Sequence, residues 1–223
     1  RGCRRIRITQ RNNFANPETI KNIKSYIRES SPNCLVWFSL PCTGGCVYNS
    51  WNYKYGSNKT IRKILNHKRL FNKLWVNAVT IMDYCQQQNA HVIFEWPTNN
   101  LYWKEKKVRE YFSKWAKHNV HGCSYGLASS VTPGKPIKKP WTLVTDLSIL
   151  PMAKRCTCYV PATGGGLPHL KRGEKHAPCA GKDTKLSESY PQNMADEFHI
   201  MFRNLAKNHF GASQDNAILA QKG

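Results

Sequence analysis

Cys42 lies just past an apolar run, Cys34 to Leu40 (CLVWFSL), in the turn-rich stretch Pro41-Cys42-Thr43-Gly44-Gly45. A thiol held by a strand and surrounded by basic residues is favoured as thiolate, the form that acts as a nucleophile. A cysteine after proline in a loop is also an ordinary structural residue, and the local sequence leaves both readings open. Glu95 closes a second apolar run, His91 to Glu95 (HVIFE), and is followed by Trp96 and Pro97. Its carboxylate suits a general acid, a hydrogen-bond acceptor for a nucleobase, or a helix cap. About fifty residues with a long helical pattern separate the two positions. Adjacent parallel strands joined by that helix would bring Cys42 and Glu95 to one sheet edge, where open α/β sheets place their ligands.

A different chemistry is written into the last third. Cys156, Cys158, His169, His176 and Cys179 follow the spacing C-x-C-x10-H-x6-H-x2-C in a stretch rich in Gly, Lys and Pro. Thiolate and imidazole are the ligands of structural zinc, whose binding replaces the apolar burial such a stretch lacks. Cys156, His169, His176 and Cys179 are the expected four ligands; free cysteines and surface histidines are the alternative. Lys171, Arg172, Lys175, Lys182 and Lys185 surround them and suit contact with phosphate.

The elements that must position these groups follow from periodicity. Arg5 to Thr9 alternates basic and β-branched residues and predicts a short strand. Asn16-Pro17 is a helix start, and Ile20, Ile23 and Ile27 share one face of a helix over 17–29. Cys34 to Leu40 and His91 to Glu95 predict strands buried on both faces. Residues 46–58 carry Tyr48, Trp51, Tyr53 and Tyr55 and suggest a lid with aromatic platforms, some rings turned inward. Thr60 to Gln88 predicts a long helix with a bend near Asn66 and His67. Lys104 to Lys117 predicts another helix, Val120 to Leu127 and Trp141 to Thr145 predict strands, and Met194 to Ala206 predicts an amphipathic helix. The order is that of a doubly wound, mostly parallel α/β sheet of Rossmann-like type, residues 1–150, followed by a basic Cys/His-rich appendage, residues 151–223.

Charge names the partner. Thirty-four Lys and Arg stand against 13 Asp and Glu, a net charge of +21 over 223 residues, which favours phosphate backbones and makes nucleic acid, DNA first, the expected partner. The 40% apolar content excludes disorder throughout, and no apolar run reaches membrane-spanning length. Nine cysteines without dense pairing point to a reducing, intracellular compartment, the nucleus in a eukaryote. The chain opens Arg1-Gly2-Cys3-Arg4-Arg5 with neither an initiator Met nor an apolar leader, so an upstream domain or partner chain that completes the fold is expected.

The succession LVWFSLPCTGG, VIFEWP and GCSYGL…KKPWTLVTD resembles the cytosine-C5 DNA methyltransferases. The resemblance covers roughly residues 5–150 and implies a methyltransferase-like domain in which Cys42 attacks C6 of a flipped-out cytosine and Glu95 contacts and protonates N3. It further implies substrate contacts from Thr43, Gly44, Tyr125, Lys138 and Lys139, and S-adenosylmethionine held with the help of Thr9, Gln10, Ser39 and Pro41. Where the family has Gln after the catalytic cysteine, Asn after the Glu, and Arg in the basic segment, this chain has Thr43, Trp96, and Lys138 with Lys139. The family's glycine-rich cofactor loop has no counterpart, and if Arg5 to Thr9 is the second sheet strand, the first belongs upstream of Arg1. A nucleic-acid-binding module without catalysis is the alternative.

Overall fold

The computed structural model describes residues 5–147, 152–158, 170 and 173–205. Its elements are α1 (Pro17–Ser30), β1 (Leu35–Phe38), α2 (Tyr48–Tyr55), α3 (Asn58–Gln87), β2 (His91–Pro97), α4 (Lys106–Tyr111), β3 (Ala116–His121), β4 (Pro140–Thr145) and α5 (Lys182–Leu186), interspersed with short 3-10 turns. Residues 192–205 are also helical. The strands form one sheet in the order β1-β2-β4-β3. The chain divides into two compact units, Arg1–Lys117 with Leu143–Leu147, and His118–Thr142 with Ser148–Gly223. The composition shift at residue 150 is therefore not where the packing divides, because residues 118–142 pack with the Cys/His-rich segment that follows.

In the first unit, local signals become structure directly. The Asn16 Oδ1 accepts from the Glu18 N–H at 2.9 Å and caps α1, with Pro17 at the first turn and Ile23 and Ile27 buried. Ser57 caps α3 by accepting from the Thr60 N–H. The 30 residues of α3 form one uninterrupted helix through Asn66 and His67. Ile64 and Phe71, seven apart, are both buried, and an unbroken helix keeps them on the same stripe as Leu74, Trp75, Ala78 and Ile81.

β1 and β2 pair in parallel, Leu35 opposite His91 through Phe38 opposite Phe94. The crossover between them contains α2 and α3, the helix-length connection that parallel neighbours need. Around β2 the core is aromatic: Phe71, Trp75, Phe94, Trp96, Tyr102 and Phe112 are all buried in one cluster. Thr145, the last residue of β4, donates its hydroxyl to the Val92 carbonyl at the start of β2, and Asp146 accepts from the Val92 N–H at 3.0 Å.

Several expectations are corrected. Arg5 to Thr9 is not a strand; it joins no ladder and runs into a 3-10 turn at Gln10–Asn12. The helix expected over 104–117 shrinks to the six residues of α4, since Phe112 and Trp115 pack edge-on against each other and Phe112 against Trp75 and Phe94, and tertiary packing overrides propensity. Val120 to Leu127 is strand only to His121; Gly122–Tyr125 is a 3-10 turn closed by Gly126 at φ 85°. With β3 and β4 joined by that turn and a loop, the chain is a mixed α/β fold, and the doubly wound topology is not reproduced beyond the β1–β2 crossover. Among the described residues no helix is long and apolar enough to cross a membrane.

Candidate functional site

The carboxyl ends of β1 and β2 carry the first site. Glu95 is 4% exposed, and its Oε2 accepts from the Ser39 hydroxyl at 2.9 Å. A carboxylate is seldom buried to this degree without a partner, and Ser39, the first residue past β1, supplies one. The loop that follows is fixed by its own backbone and by two side chains. Gly45 N–H donates to the Cys42 carbonyl and Cys46 N–H to that of Thr43. Asn100 Nδ2 donates to the Cys42 carbonyl at 2.8 Å, while its Oδ1 accepts from the Tyr102 N–H at 2.9 Å. Asn49 Nδ2 reaches the Thr43 and Gly44 carbonyls at 2.7 and 3.1 Å. Cys42 is thus positioned by residues drawn from both sides of the crossover.

Gly44 and Gly45 are glycines for want of space. A Cβ on Gly44 would lie 2.0 Å from the Tyr102 hydroxyl, and one on Gly45 2.0 Å from Asn100 Oδ1. Neither neighbour yields easily, because the Tyr102 ring is stacked on Phe71 at 3.7 Å and both Asn100 amide atoms are bonded. Gly44 is buried against Tyr102 and His67, whereas Thr43 and Pro41 are exposed. Burial first, then the nearby Glu105 and Cys42, pushes the Tyr102 phenol up to about 12, so it stays a neutral hydroxyl. His67 Nε2 is buried with no hydrogen-bond partner among the described residues.

The residue after Glu95 departs from the methyltransferase pattern for a visible reason. Trp96 is buried, meets Phe94, Phe71 and Trp103 edge to face, and donates its indole N–H to the Leu40 carbonyl at 2.9 Å. It ties the end of β2 to the end of β1. The residues expected to hold a cofactor do not assemble with this edge as a strand end would. Thr9 lies in the coil before the Gln10–Asn12 turn, where its N–H and hydroxyl are both bonded to Asn12 Oδ1, and Gln10 belongs to that turn. Only Ser39 and Pro41 of that set flank the edge.

The second site lies wholly in the other unit. Cys123 Sγ, Cys156 Sγ, Cys158 Sγ and a His176 ring nitrogen all lie within 4.8 Å of one another, and Cys156 Sγ stands 3.3 Å from His176 Nε2. Zinc–sulfur and zinc–nitrogen bonds of about 2.3 and 2.0 Å imply ligand–ligand edges of about 3.5 to 3.8 Å in a tetrahedron, so the cluster needs only small adjustments to close on an ion. Burial, then the neighbouring Cys156 and Cys158, drives the Cys123 thiol far up; burial also raises Cys158. A divalent cation held by these sulfurs would reverse that sign. Burial and Lys138 lower His176, leaving the neutral imidazole a metal requires. His121 Nδ1 accepts from the Cys156 N–H at 2.9 Å and orients the ligand segment from outside the cluster.

Two of the four ligands expected from spacing, Cys156 and His176, are in this cluster. Cys179 is not: it is exposed and its Sγ lies 3.1 Å from the Ser187 hydroxyl. His169, Lys171 and Arg172 lie outside the described residues. Cys123 was hidden from a reading of local spacing because it comes 33 residues before Cys156, on the 3-10 turn after β3. Tyr125, expected at the substrate, is 2% exposed and donates its hydroxyl to the Met152 carbonyl at 3.0 Å, which makes it a core residue of this unit. Lys139 donates to the Ser187 carbonyl and hydroxyl and lies 5.5 Å from the Trp141 ring centroid; Lys138 is exposed.

Together these features define a mixed α/β protein with a Cys3His cluster capable of holding a metal ion. No family model, no curated protein and no solved structure matches this chain. The likeness to cytosine-C5 methyltransferases therefore rests on the segments quoted above.

Proposed function

We propose that the protein binds nucleic acid and acts on a pyrimidine at the carboxyl edge of β1 and β2, with Cys42 as nucleophile and Glu95 as acid. The observation that carries this reading is the pairing of a buried, Ser39-bonded Glu95 on β2 with a Cys42 loop pinned by Asn100, both at the ends of adjacent parallel strands. The supported step is addition. The Cys42 thiolate forms a bond to C6, the ring π electrons move toward N3, and N3 takes the proton that Glu95 gives up, leaving a carboxylate. Turning the base out of a duplex, or meeting it in a single strand, gives access to C6. Methyl transfer to C5 would need S-adenosylmethionine, and the described residues do not fit it: residues 5–9 form no strand, and Thr9 is committed to Asn12. In the second unit, zinc is the ion the thiolate-rich donor set suits, in a structural role, since four protein ligands leave no open position.

An oligonucleotide carrying 2-pyrimidinone in place of cytosine tests the addition directly, because its C6 accepts a thiolate without a methyl donor. A denaturing gel should show a covalent band with the full chain, none with Cys42→Ser, and about a hundredfold slower formation with Glu95→Gln. The second reading, a binding module without chemistry, is favoured by the incomplete cofactor side. Retained nucleic-acid binding with no covalent band, with or without S-adenosylmethionine, would establish it in place of the first.

A further inference from the structure

The helix α2 presents its rings to solvent. Tyr48, Trp51, Tyr53 and Tyr55 are 74, 68, 50 and 58% exposed, so the inward-turned rings expected from sequence are not found. Tyr48, Trp51 and Tyr55 fall at helical spacing on one stripe, and the Trp51 and Tyr55 ring centroids are 4.6 Å apart. The residues between them are Asn49, Ser50, Asn52 and Lys54, and Lys54 Nζ stands 5.0 Å from the Tyr55 ring centroid. The same helix is anchored from beneath by Asn49, which bonds the Cys42 loop, so the ring stripe begins six residues from Cys42.

Charge around the stripe has one sign. From Ser30 to Met82 there is no Asp or Glu, while Lys54, Lys59, Arg62, Lys63, Lys68, Arg69 and Lys73 are all exposed and none forms an ion pair among the described residues. Large rings left in water cost free energy that a monomer has no reason to bear. A protein partner would be expected to cover them with aliphatic area, yet the stripe is ringed by amides, hydroxyls and unpaired cations. Flat π faces beside free cations are complementary to nucleobases on a phosphate chain, which stack without regard to sequence while the backbone follows the charge. Bases inside a duplex have no free faces to offer.

We propose that α2 is a stacking platform for a single-stranded segment of nucleic acid, Trp51 and Tyr55 receiving successive bases and the Lys and Arg of the first half of α3 receiving phosphates. This rests on the nucleic-acid reading above and names its substrate form: an unpaired strand delivered to Cys42.

The test is fluorescence anisotropy of the full chain with a labelled 20-mer of deoxythymidine and a labelled hairpin duplex of equal phosphate number. The double variant Trp51→Ala/Tyr55→Ala should weaken single-strand binding by about 30-fold or more, with duplex affinity and the salt slope unchanged, as expected for the loss of two stacked bases. Trp51→Phe should recover most of the loss. Arg62→Ala/Lys63→Ala should instead weaken both ligands and reduce the salt slope by about 2. Equal loss on both ligands, or no loss, in the ring variant overturns the platform and leaves nucleic-acid binding standing. If the wild-type chain binds neither ligand, both readings fall. Ring-dependent sedimentation on vesicles of phosphatidylcholine with phosphatidylserine, with oligonucleotide binding untouched by the ring variant, assigns the stripe to a membrane surface instead.

Discussion

The two units are held together by different means. In the first, a parallel strand pair is buried under aromatic rings, and its polar contacts sit at the edges: Ser39 on Glu95, Asn100 on the Cys42 loop, Trp96 on Leu40. In the second, the cluster of Cys123, Cys158 and Leu170, with Cys156 against it, is apolar only if thiols are counted as apolar. Val120, Ile137, Trp141, Met152 and Met194 are buried in the same unit, and side-chain bonds add to them: Ser124 to the Arg155 carbonyl, Tyr125 to Met152, Lys139 to Ser187, and Ser129 and Ser130 to Asp183. A unit built by burial carries its stability in its sequence of apolar residues. A unit built by such a network and four convergent donors depends on what those donors hold.

The largest effect should come from removing the metal. Structural zinc contributes on the order of 10 kcal/mol or more to folding of small metal-dependent units. Protein purified without chelator should carry one zinc per chain by elemental analysis, and a tight chelator should abolish hydrogen-exchange protection at Cys156 and Tyr125 while leaving β1 and β2 protected. Cys123→Ser should reproduce the loss and Cys179→Ser should leave the zinc content at one, which separates the cluster from the set that spacing suggested. Protein that carries no metal and keeps its protection would erase the contrast between the units.

Next in size is a core substitution in the first unit. Trp96→Ala removes the ring that meets Phe71, Phe94 and Trp103 and the indole bond to Leu40. A loss of about 3 to 5 kcal/mol in urea unfolding is expected. Chelator should leave this loss unchanged, whereas a chelator-dependent loss would mean that the two units do not fold by separate means.

How much of this could be read in advance follows the same division. The parallel pair was legible because continuous apolar runs ending in Pro and Gly have few other uses, and because Ile20, Ile23 and Ile27 or Ile64 and Phe71 announce their helical faces. The edge residues Cys42 and Glu95 followed from the run ends. What failed were elements decided by tertiary contact. α4 stops where Phe112 enters the aromatic core, and Arg5 to Thr9 alternates like a strand but finds no partner. In the second unit periodicity carries little, and a ligand as remote in sequence as Cys123 is invisible until the turn around Gly122 brings it back. Asn100 was equally silent, since an amide in a loop reads as a turn residue and not as the brace of a loop 58 residues away.

That brace supplies a smaller effect. Asn100→Ala removes the side-chain donor to the Cys42 carbonyl, which keeps the Gly45 N–H, and takes away the acceptor of the Tyr102 N–H, for which about 1 to 3 kcal/mol of local stability is expected. The informative readout is chemical. Covalent capture of the 2-pyrimidinone oligonucleotide should slow by about ten- to a hundredfold, since small displacements of a nucleophile are costly, while oligonucleotide affinity stays within about twofold. Unchanged capture would mean that the loop holds Cys42 in place without Asn100, and the positioning argument would fail.

The smallest effect is in the second unit; it is present at neutral pH and closes in acid. Asp183 is buried and accepts from the Ser129 hydroxyl at 2.5 Å and from the Ser130 N–H and hydroxyl at 2.8 Å each. The Ser129 bond first, with the Ser130 and Val131 donors, holds its carboxyl below the usual aspartate value against the opposing effect of burial. A depressed folded pKa means that the unfolded chain binds the proton more readily. The stabilisation is therefore complete above the ordinary aspartate range near about pH 4 and is lost as pH falls through the lower folded value. Asp183→Asn keeps the shape and removes the charge, so its stability should lie below that of the wild type at pH 7 and converge toward it below about pH 4. The expected signature is a wild-type-minus-variant difference in thermal unfolding, both chains metal-free in chelator at every pH, that closes on acidification, tracked by hydrogen exchange at Ser130 and Val131. A difference independent of pH would locate the loss in the geometry of the loop over 129–135 and not in the carboxylate, and would weaken the case that charge-assisted bonds add to the stability of this unit.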